Sequence, residues 1–422
     1  MSVSPRRDSL PEWPRECIGE IASFAGGVAF PRAEQGQVSG EFPFLKVSDM
    51  NAPGNERELF SSANWITEEQ RSRLRARLWP AGTVVFPKVG AALKTEKRRI
   101  LTRPSAFDNN VMGLVPKERI LPRYLLAVME TIRFGDFAQE GVVPSINQRM
   151  VASIQVPIPP LGEQARMVEL LDAFDANTDA LQRQRMQLRH LKVALLKEAY
   201  IDTTEGEHVA IGDLLESTVG GVWGAEPGEE ACNVEIVRST NFDNDGTLHL
   251  AAAAARSISE KQLTNRALRA GDILLEKSGG GPHQPVGRVV RVTADLPEHT
   301  CSNFVQLVRP DADKVAPEWL FYHLWADHAC GLTLQYQAVA VGIRNLRTKD
   351  YLARQVVLPS RTEQERIGRL ADAIDIERKA LDAQAVHLAR LCSSTVTALL
   401  GGSHELPEIA AELLAMHDRI AV

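Results

Sequence analysis

The chain has 422 residues, 44% apolar and 24% charged, with a formal net charge of −6. That length accommodates two or three domains with ample core, and the composition is globular rather than disordered or fibrous. The five cysteines (Cys17, Cys232, Cys301, Cys330 and Cys392) are scattered, with no CxxC and no pairing of cysteine with histidine at metal spacing. This speaks against a disulfide framework or structural zinc. No metal or cofactor is expected.

The first residues, MSVSPRRDSLPEW, lack the apolar stretch of a signal peptide, and no run of 18 apolar residues occurs. A cytoplasmic location is the expectation. Charge is unevenly spread. Residues 1–155 hold 21 Lys+Arg against 17 Asp+Glu, whereas residues 205–355 hold 14 against 20. The first part can attract a polyanion as a body; the second can do so only through a local patch.

Residues 1–155 alternate short apolar runs (FPFLKV, GTVVF, NNVMGLV, ASIQVPI) with Gly, Pro and Asn signals, and include two helical stretches, TEEQRSRLRARL and PRYLLAVMETI. This predicts an α+β domain. At Val156 a different pattern begins, VPIPPLGEQARMVELLDAFDANTDALQRQRMQLRHLKVALLKEAY, and it returns ungapped from Val356 as VVLPSRTEQERIGRLADAIDIERKALDAQAVHLARLCSSTVTALL. Pro159/Pro359, Glu163/Glu363, Gln164/Gln364, Arg166/Arg366, Asp172/Asp372 and Asp175/Asp375 coincide. Such self-similarity marks two related halves. Each copy predicts a long helix, beginning near Gly162 in the first and with Thr362 as N-cap in the second, because the prolines set the boundary. A helix of about 35–40 residues is roughly 50–60 Å long.

Met167, Phe174, Leu181, Leu188 and Leu195 recur every seven residues, as do Ile367, Ile374, Leu381 and Leu388. A sustained heptad spine predicts a coiled-coil seam; the alternative is an amphipathic helix packed on its own domain. If the seam is shared, the helices run antiparallel and relate the halves by a pseudo-two-fold axis.

Residues 205–355 repeat the first domain more loosely. Ile18-Gly19-Glu20-Ile21 then Gly26-Gly27-Val28 matches Ile211-Gly212-Asp213-Leu214 then Gly220-Gly221-Val222. Leu45-Lys46-Val47-Ser48-Asp49 matches Val237-Arg238-Ser239-Thr240-Asn241, and Gly82-Thr83-Val84-Val85-Phe86 matches Gly271-Asp272-Ile273-Leu274-Leu275. The expected division is 1–155, first globular domain; 156–204, first helix; 205–355, second globular domain; 356–401, second helix; and 402–422, a tail.

The twice-occurring PIPPLGEQARMVELLDAFD and VLPSRTEQERIGRLADAID resemble the conserved regions of specificity subunits of Type I restriction–modification systems, and GDILLEKSGG and IVRSTNF look like segments of that family's target-recognition domains. The resemblance covers nearly the whole chain in the family's order. It implies two target-recognition domains joined and separated by two long antiparallel helices, and a subunit without chemistry of its own. That subunit binds a bipartite double-stranded DNA target, while its helices dock two DNA methyltransferase subunits and often a restriction subunit. The second copy departs from the pattern in reading LPSRTEQ where the first reads IPPLGEQ.

No catalytic set is found. The Asp/Asn-Pro-Pro-Tyr/Phe tetrapeptide of adenine methylation and the Walker lysine loop are both missing, and the ten histidines, His283 and His323 among them, form no nucleophile–base or HExxH pattern. The run Ser278-Gly279-Gly280-Gly281-Pro282 lacks a lysine and a following helix, so a flexible loop is expected.

DNA contact needs cations for phosphates and Arg, Lys, Asn or Gln for base edges. In the first domain the candidates are Lys46, Lys88, Lys94, Lys97, Arg98, Arg99 and Arg103; Arg71, Arg73, Arg75 and Arg77 form a further cluster that could equally be a solvated helix face. In the second they are Arg238, Asn241, Lys277, Arg288, Arg344, Asn345 and Arg347, with Arg291 and Lys349 nearby. Differing loops predict an asymmetric target. The competing reading is a pseudo-symmetric adaptor that bridges two protein partners and ignores DNA.

Overall fold

The computed structural model describes residues 13–136, 144–201, 206–281, 284–340 and 343–400. The expected tail, and His283 with Pro282, lie outside the described residues. The chain forms two compact units, Met1–Leu181 with Gln384–Val422, and Gln182–Ala383. Each long helix is therefore divided between the units rather than forming a body of its own.

In the first unit, Ala22–Gly26, Val111–Pro116, Val84–Pro87 and Arg99–Leu101 form an antiparallel sheet in that order, extended by the short parallel strand Glu58–Leu59. A smaller sheet places Phe42–Leu45 between antiparallel Trp65–Ile66 and parallel Ala106–Phe107. Apolar residues alternate into the space under the main sheet, where Leu45, Val85, Leu101, Phe107 and Val111 are buried together. The predicted helical stretches fold as Glu68–Leu74 and Pro122–Thr131. The first is opened by a capping box in which Thr67 and Gln70 each accept the other's backbone N–H.

The second unit repeats this order with different residues. Leu215–Gly220, Val305–Pro310, Ile273–Glu276 and Val289–Arg291 form the antiparallel sheet, and Cys232–Val237 lies between antiparallel Ala254–Ile258 and parallel His299–Cys301. The paired glycines have one cause. A Cβ on Gly27 would lie 1.9 Å from the Asp108 carbonyl oxygen, and one on Gly221 2.1 Å from that of Ser302, so only hydrogen fits at either crossing. The Gly-rich run is not the flexible loop expected: Ser278–Gly280 is a strand, paired with Ile343–Leu346, which in turn pairs with Gln337–Ala340.

Each globular domain is closed at its base. Arg15–Cys17 pairs antiparallel with Gln155–Pro157, and Glu207–Ala210 with Gln355–Leu358. The long helices, Leu161–Tyr200 and Arg361–Leu400, follow these ribbons directly. The second begins earlier than expected: Ser360, not Thr362, accepts the Glu363 N–H at 3.4 Å. The repeated Gln164 and Gln364 have equivalent tasks. Gln164 accepts the N–H of Leu121 at 2.9 Å and donates to the carbonyls of Arg119 and Pro159; Gln364 accepts the N–H of Ala316 at 2.9 Å and donates to that of Pro359. Leu121 and Ala316 precede the helices Pro122–Thr131 and Pro317–Ala329, so each glutamine ties a long helix to the helix before it.

Met167, Phe174, Leu181, Ile367, Leu381 and Leu388 are buried, whereas Leu188, Leu195 and Ile374 are only half-buried. Toward the end of the first helix burial shifts to Lys192, Leu196 and Tyr200. An α-helix of 3.6 residues per turn drifts about 20° per heptad, and Leu196 and Tyr200 join the core of the second domain with Trp319, Leu320 and Tyr351. Within the second unit the helix segments run antiparallel: Lys192 meets Asp375 at 2.8 Å, and Arg185 meets Asp382 at 3.0 Å. Among the described residues no helix is long and apolar enough to cross a membrane.

Candidate nucleic-acid interface

The sheets bring Lys88 and Lys277 to equivalent positions. Each follows the same strand of its main sheet. The Lys88 N–H donates to the Asn110 carbonyl at 2.9 Å and its carbonyl accepts the Ile146 N–H at 3.0 Å. The Lys277 N–H donates to the Phe304 carbonyl at 2.9 Å and its carbonyl accepts the Leu346 N–H at 2.8 Å. One lysine per domain is thus placed by equivalent backbone bonds and is half-exposed in both, with Lys277 Nζ also reaching Gln306 Oε1 at 3.5 Å.

Around Lys88 the basic segment divides sharply. Lys94 is exposed in the turn Leu93–Thr95, and Arg103 is exposed, its guanidinium 5.8 Å from the Trp65 ring. Lys97 is half-exposed and donates to Asn51 Oδ1. Arg98 does not present itself to solvent. It is 2% exposed, ion-paired to Glu96 at 2.6 Å, bonded to the Ile132 carbonyl and stacked 4.2 Å over Phe134. Arg99 likewise spends its donors on the carbonyls of Met50, Asn55 and Arg98. The Arg71 cluster is largely neutralised, Arg71 by Glu68 and Arg73 by Glu34 at 2.6 Å. Arg75 ends the helix in a left-handed conformation, φ 53°, and Arg77 stacks 4.3 Å over Trp79.

Lys46 and Arg238 occupy equivalent turns. Their N–H groups donate to the side chains of Asp49 (2.6 Å) and Asn241 (2.9 Å), both buried. Asn241, 1% exposed and donating to the His249 carbonyl, is a turn-forming residue and not available to a base edge. Lys46 reaches Gln35 at 2.8 Å, and Arg238 the Ala252 carbonyl at 2.7 Å. Arg288 is also structural. Buried, it forms a two-pronged ion pair with Glu276 (2.9 and 2.8 Å) and donates to the Ser239 and Phe242 carbonyls. Removing these partners would leave a buried charge uncompensated. Arg291 is engaged by Asp372 at 2.7 Å. Arg344, Asn345, Arg347 and Lys349 remain at the surface or half-exposed, with Arg347 held by the Gln335 carbonyl at 2.7 Å. Sequence reasoning passed over the exposed apolar neighbours of these cations, Phe304, Val339 and Ile343, because side-chain type alone does not report exposure.

Residues 11–189 match the family described as the Type I restriction modification DNA specificity domain. Over that stretch the chain is similar to Type I restriction–modification specificity subunits. Among the curated proteins it resembles is the EcoR124I/EcoR124II specificity subunit of Escherichia coli, 28% identical over 178 residues; the match covers 40% of this chain and 42% of that protein's own length. The EcoBI specificity subunit of the same organism is 22% identical over an alignment covering 92% of this chain and 84% of the relative. The fold resembles that of a crystallised Type I S subunit from M. genitalium, with a TM-score of 0.53 at 10% identity, covering 94% of this chain and 98% of the other.

Proposed function

We infer that this chain is the DNA sequence-specificity subunit of a Type I restriction–modification complex. Residues 1–155 and 205–355 act as two target-recognition domains that read the two parts of an asymmetric double-stranded target. The helices at 156–204 and 356–401 dock DNA methyltransferase subunits, one per copy of the repeat, and offer sites to restriction subunits. The observation that carries this reading is the recurrence of one sheet order in both halves, with Lys88 and Lys277 at the same place and dissimilar loops beside them. Equivalent frames with different edges are what a bipartite, non-palindromic reader requires. The chain itself supplies no chemistry: it reads and scaffolds, and the methyl transfer belongs to its partners. Exposed Glu163–Arg166 and Glu363–Arg366 pairs, at 2.8 and 2.6 Å, mark the corresponding outer faces of the two helices.

Selection of duplexes from a random library by the full-length chain tests the reading. A motif in two parts separated by a fixed spacer, with half-sites near one or two turns apart at about 34–36 Å per turn, is the expected result. Retention of duplexes without any common motif would refute it and leave an adaptor between proteins.

A further inference from the structure

The second domain is acidic, yet residues 277–294 and 329–349 contain no Asp or Glu. The fold brings parts of these two stretches into one sheet. Ser278 lies opposite Asn345, and Ile343–Leu346 continues the sheet to Gln337–Ala340, with Val339 opposite Arg344 and Ala338 opposite Asn345. The Ser278 hydroxyl donates to Asn345 Oδ1 at 2.6 Å and fixes that strand. Lys277 enters the same arrangement through the Phe304 carbonyl and the Leu346 N–H.

Two features of this ribbon have no structural use within the domain. Val339 and Ile343 are 66% and 46% exposed on alternate faces of the hairpin, and Phe304, whose carbonyl accepts the Lys277 N–H, is 47% exposed. The Arg344 side chain makes no hydrogen bond or ion pair with any described residue. Directly opposed residues of an antiparallel pair share a face, so Arg344 and Val339 project together. A cation beside methyl groups, on the acid-free hairpin of a three-stranded sheet, matches the major groove of B-DNA. That groove offers guanine O6 and N7 to an arginine fork and exposes thymine methyls to apolar contact. Lys277 at the ribbon's root can hold a phosphate.

We propose that the ribbon Gln337–Ala340/Ile343–Leu346 is the groove-reading element of the second domain. Arg344 donates to a guanine edge, Val339 packs on a neighbouring thymine methyl and Lys277 anchors the adjacent phosphate. This rests on the proposed function above, and the unmodified chain separates the two. The test is selection from the random duplex library by the full-length wild-type, Arg344→Ala, Arg344→Lys and Val339→Asp chains, with folding checked by circular dichroism. The wild type yields a two-part motif. Arg344→Ala and Arg344→Lys keep one half-motif intact and lose a roughly 10- to 100-fold guanine preference at one position of the other; Arg344→Lys retains more affinity because the charge remains. Val339→Asp weakens the same half alone. Folded variants that all select the wild-type motif would overturn the ribbon assignment while leaving the specificity reading standing. A wild-type chain that selects nothing overturns both.

Discussion

Gln164 and Gln364 show why identical residues recur two hundred positions apart. Each amide is buried and satisfies backbone groups that no regular element can reach. Replacing Gln164 with Leu keeps the bulk but orphans the buried Leu121 N–H. The expected loss is about 1–3 kcal/mol of unfolding free energy, read by urea denaturation; an unchanged midpoint would refute the role. His323 illustrates a charge held off. It is 1% exposed among Trp319 and Tyr200, its Nε2 accepts from Arg354 at 3.1 Å, and burial pushes its pKa down to about 3. The folded chain refuses a proton that the unfolded chain accepts below about pH 6.5. The stability this group contributes is therefore complete above that pH and declines as pH falls toward 3. Asp327, pushed up to about 6 by burial, works in the opposite sense by taking a proton more readily when folded. His323→Gln isolates the first effect: between pH 7 and pH 5 the variant should lose about 2 kcal/mol less than the wild type, measured by denaturation at both values.

At the scale of elements, the pairing of the helix segments in the second unit is ionic as much as apolar. Lys192 is 2% exposed, bonded to Asp375 at 2.8 Å and set 4.0 Å over the Trp325 ring, while Arg378 pairs with Asp245 and Asp382 at 3.3 and 2.9 Å. Burial drives the Lys192 pKa down, and Asp375 opposes that shift. Lys192→Met alone should destabilise the fold by up to about 3 kcal/mol, because Asp375 keeps only the Tyr322 hydroxyl and Arg378, and adding Asp375→Asn should recover part of it. A double-mutant cycle in urea decides this; strictly additive effects would rule out the coupling. The antiparallel sense follows from long-range pairs that heptad spacing cannot specify. The helix boundaries were legible because Pro159 and Pro359 punctuate a strong period, and the α+β character because short apolar runs stand between Gly, Pro and Asn signals. The roles of individual cations were not. Arg98 and Arg288 carry the same charge as Lys94 and Arg344, and only the carboxylates and carbonyls folded around them make the first two structural. Strand pairing of Ser278–Gly280 was hidden too, since glycine carries no periodic signal.

For the whole molecule, the proposed function makes the equivalently placed Lys88 and Lys277 contributors to affinity rather than to choice of sequence. Replacing either by Ala should weaken binding evenly across duplexes and lower the slope of log affinity against log salt by about 1. Fluorescence titration at several salt concentrations reads this out; a change in preferred sequence would show that the lysines select bases. The closing ribbons carry a separate consequence. Because Arg15–Cys17 is zipped to Gln155–Pro157, and Glu207–Ala210 to Gln355–Leu358, each domain's chain enters and leaves at one place. A domain is then a cassette with adjacent ends, replaceable through two splices in a single ribbon when the replacement keeps the backbone N–H that Gln164 or Gln364 accepts. On the proposed reading, exchange at the same two strands replaces one half of the target and leaves the other half unchanged.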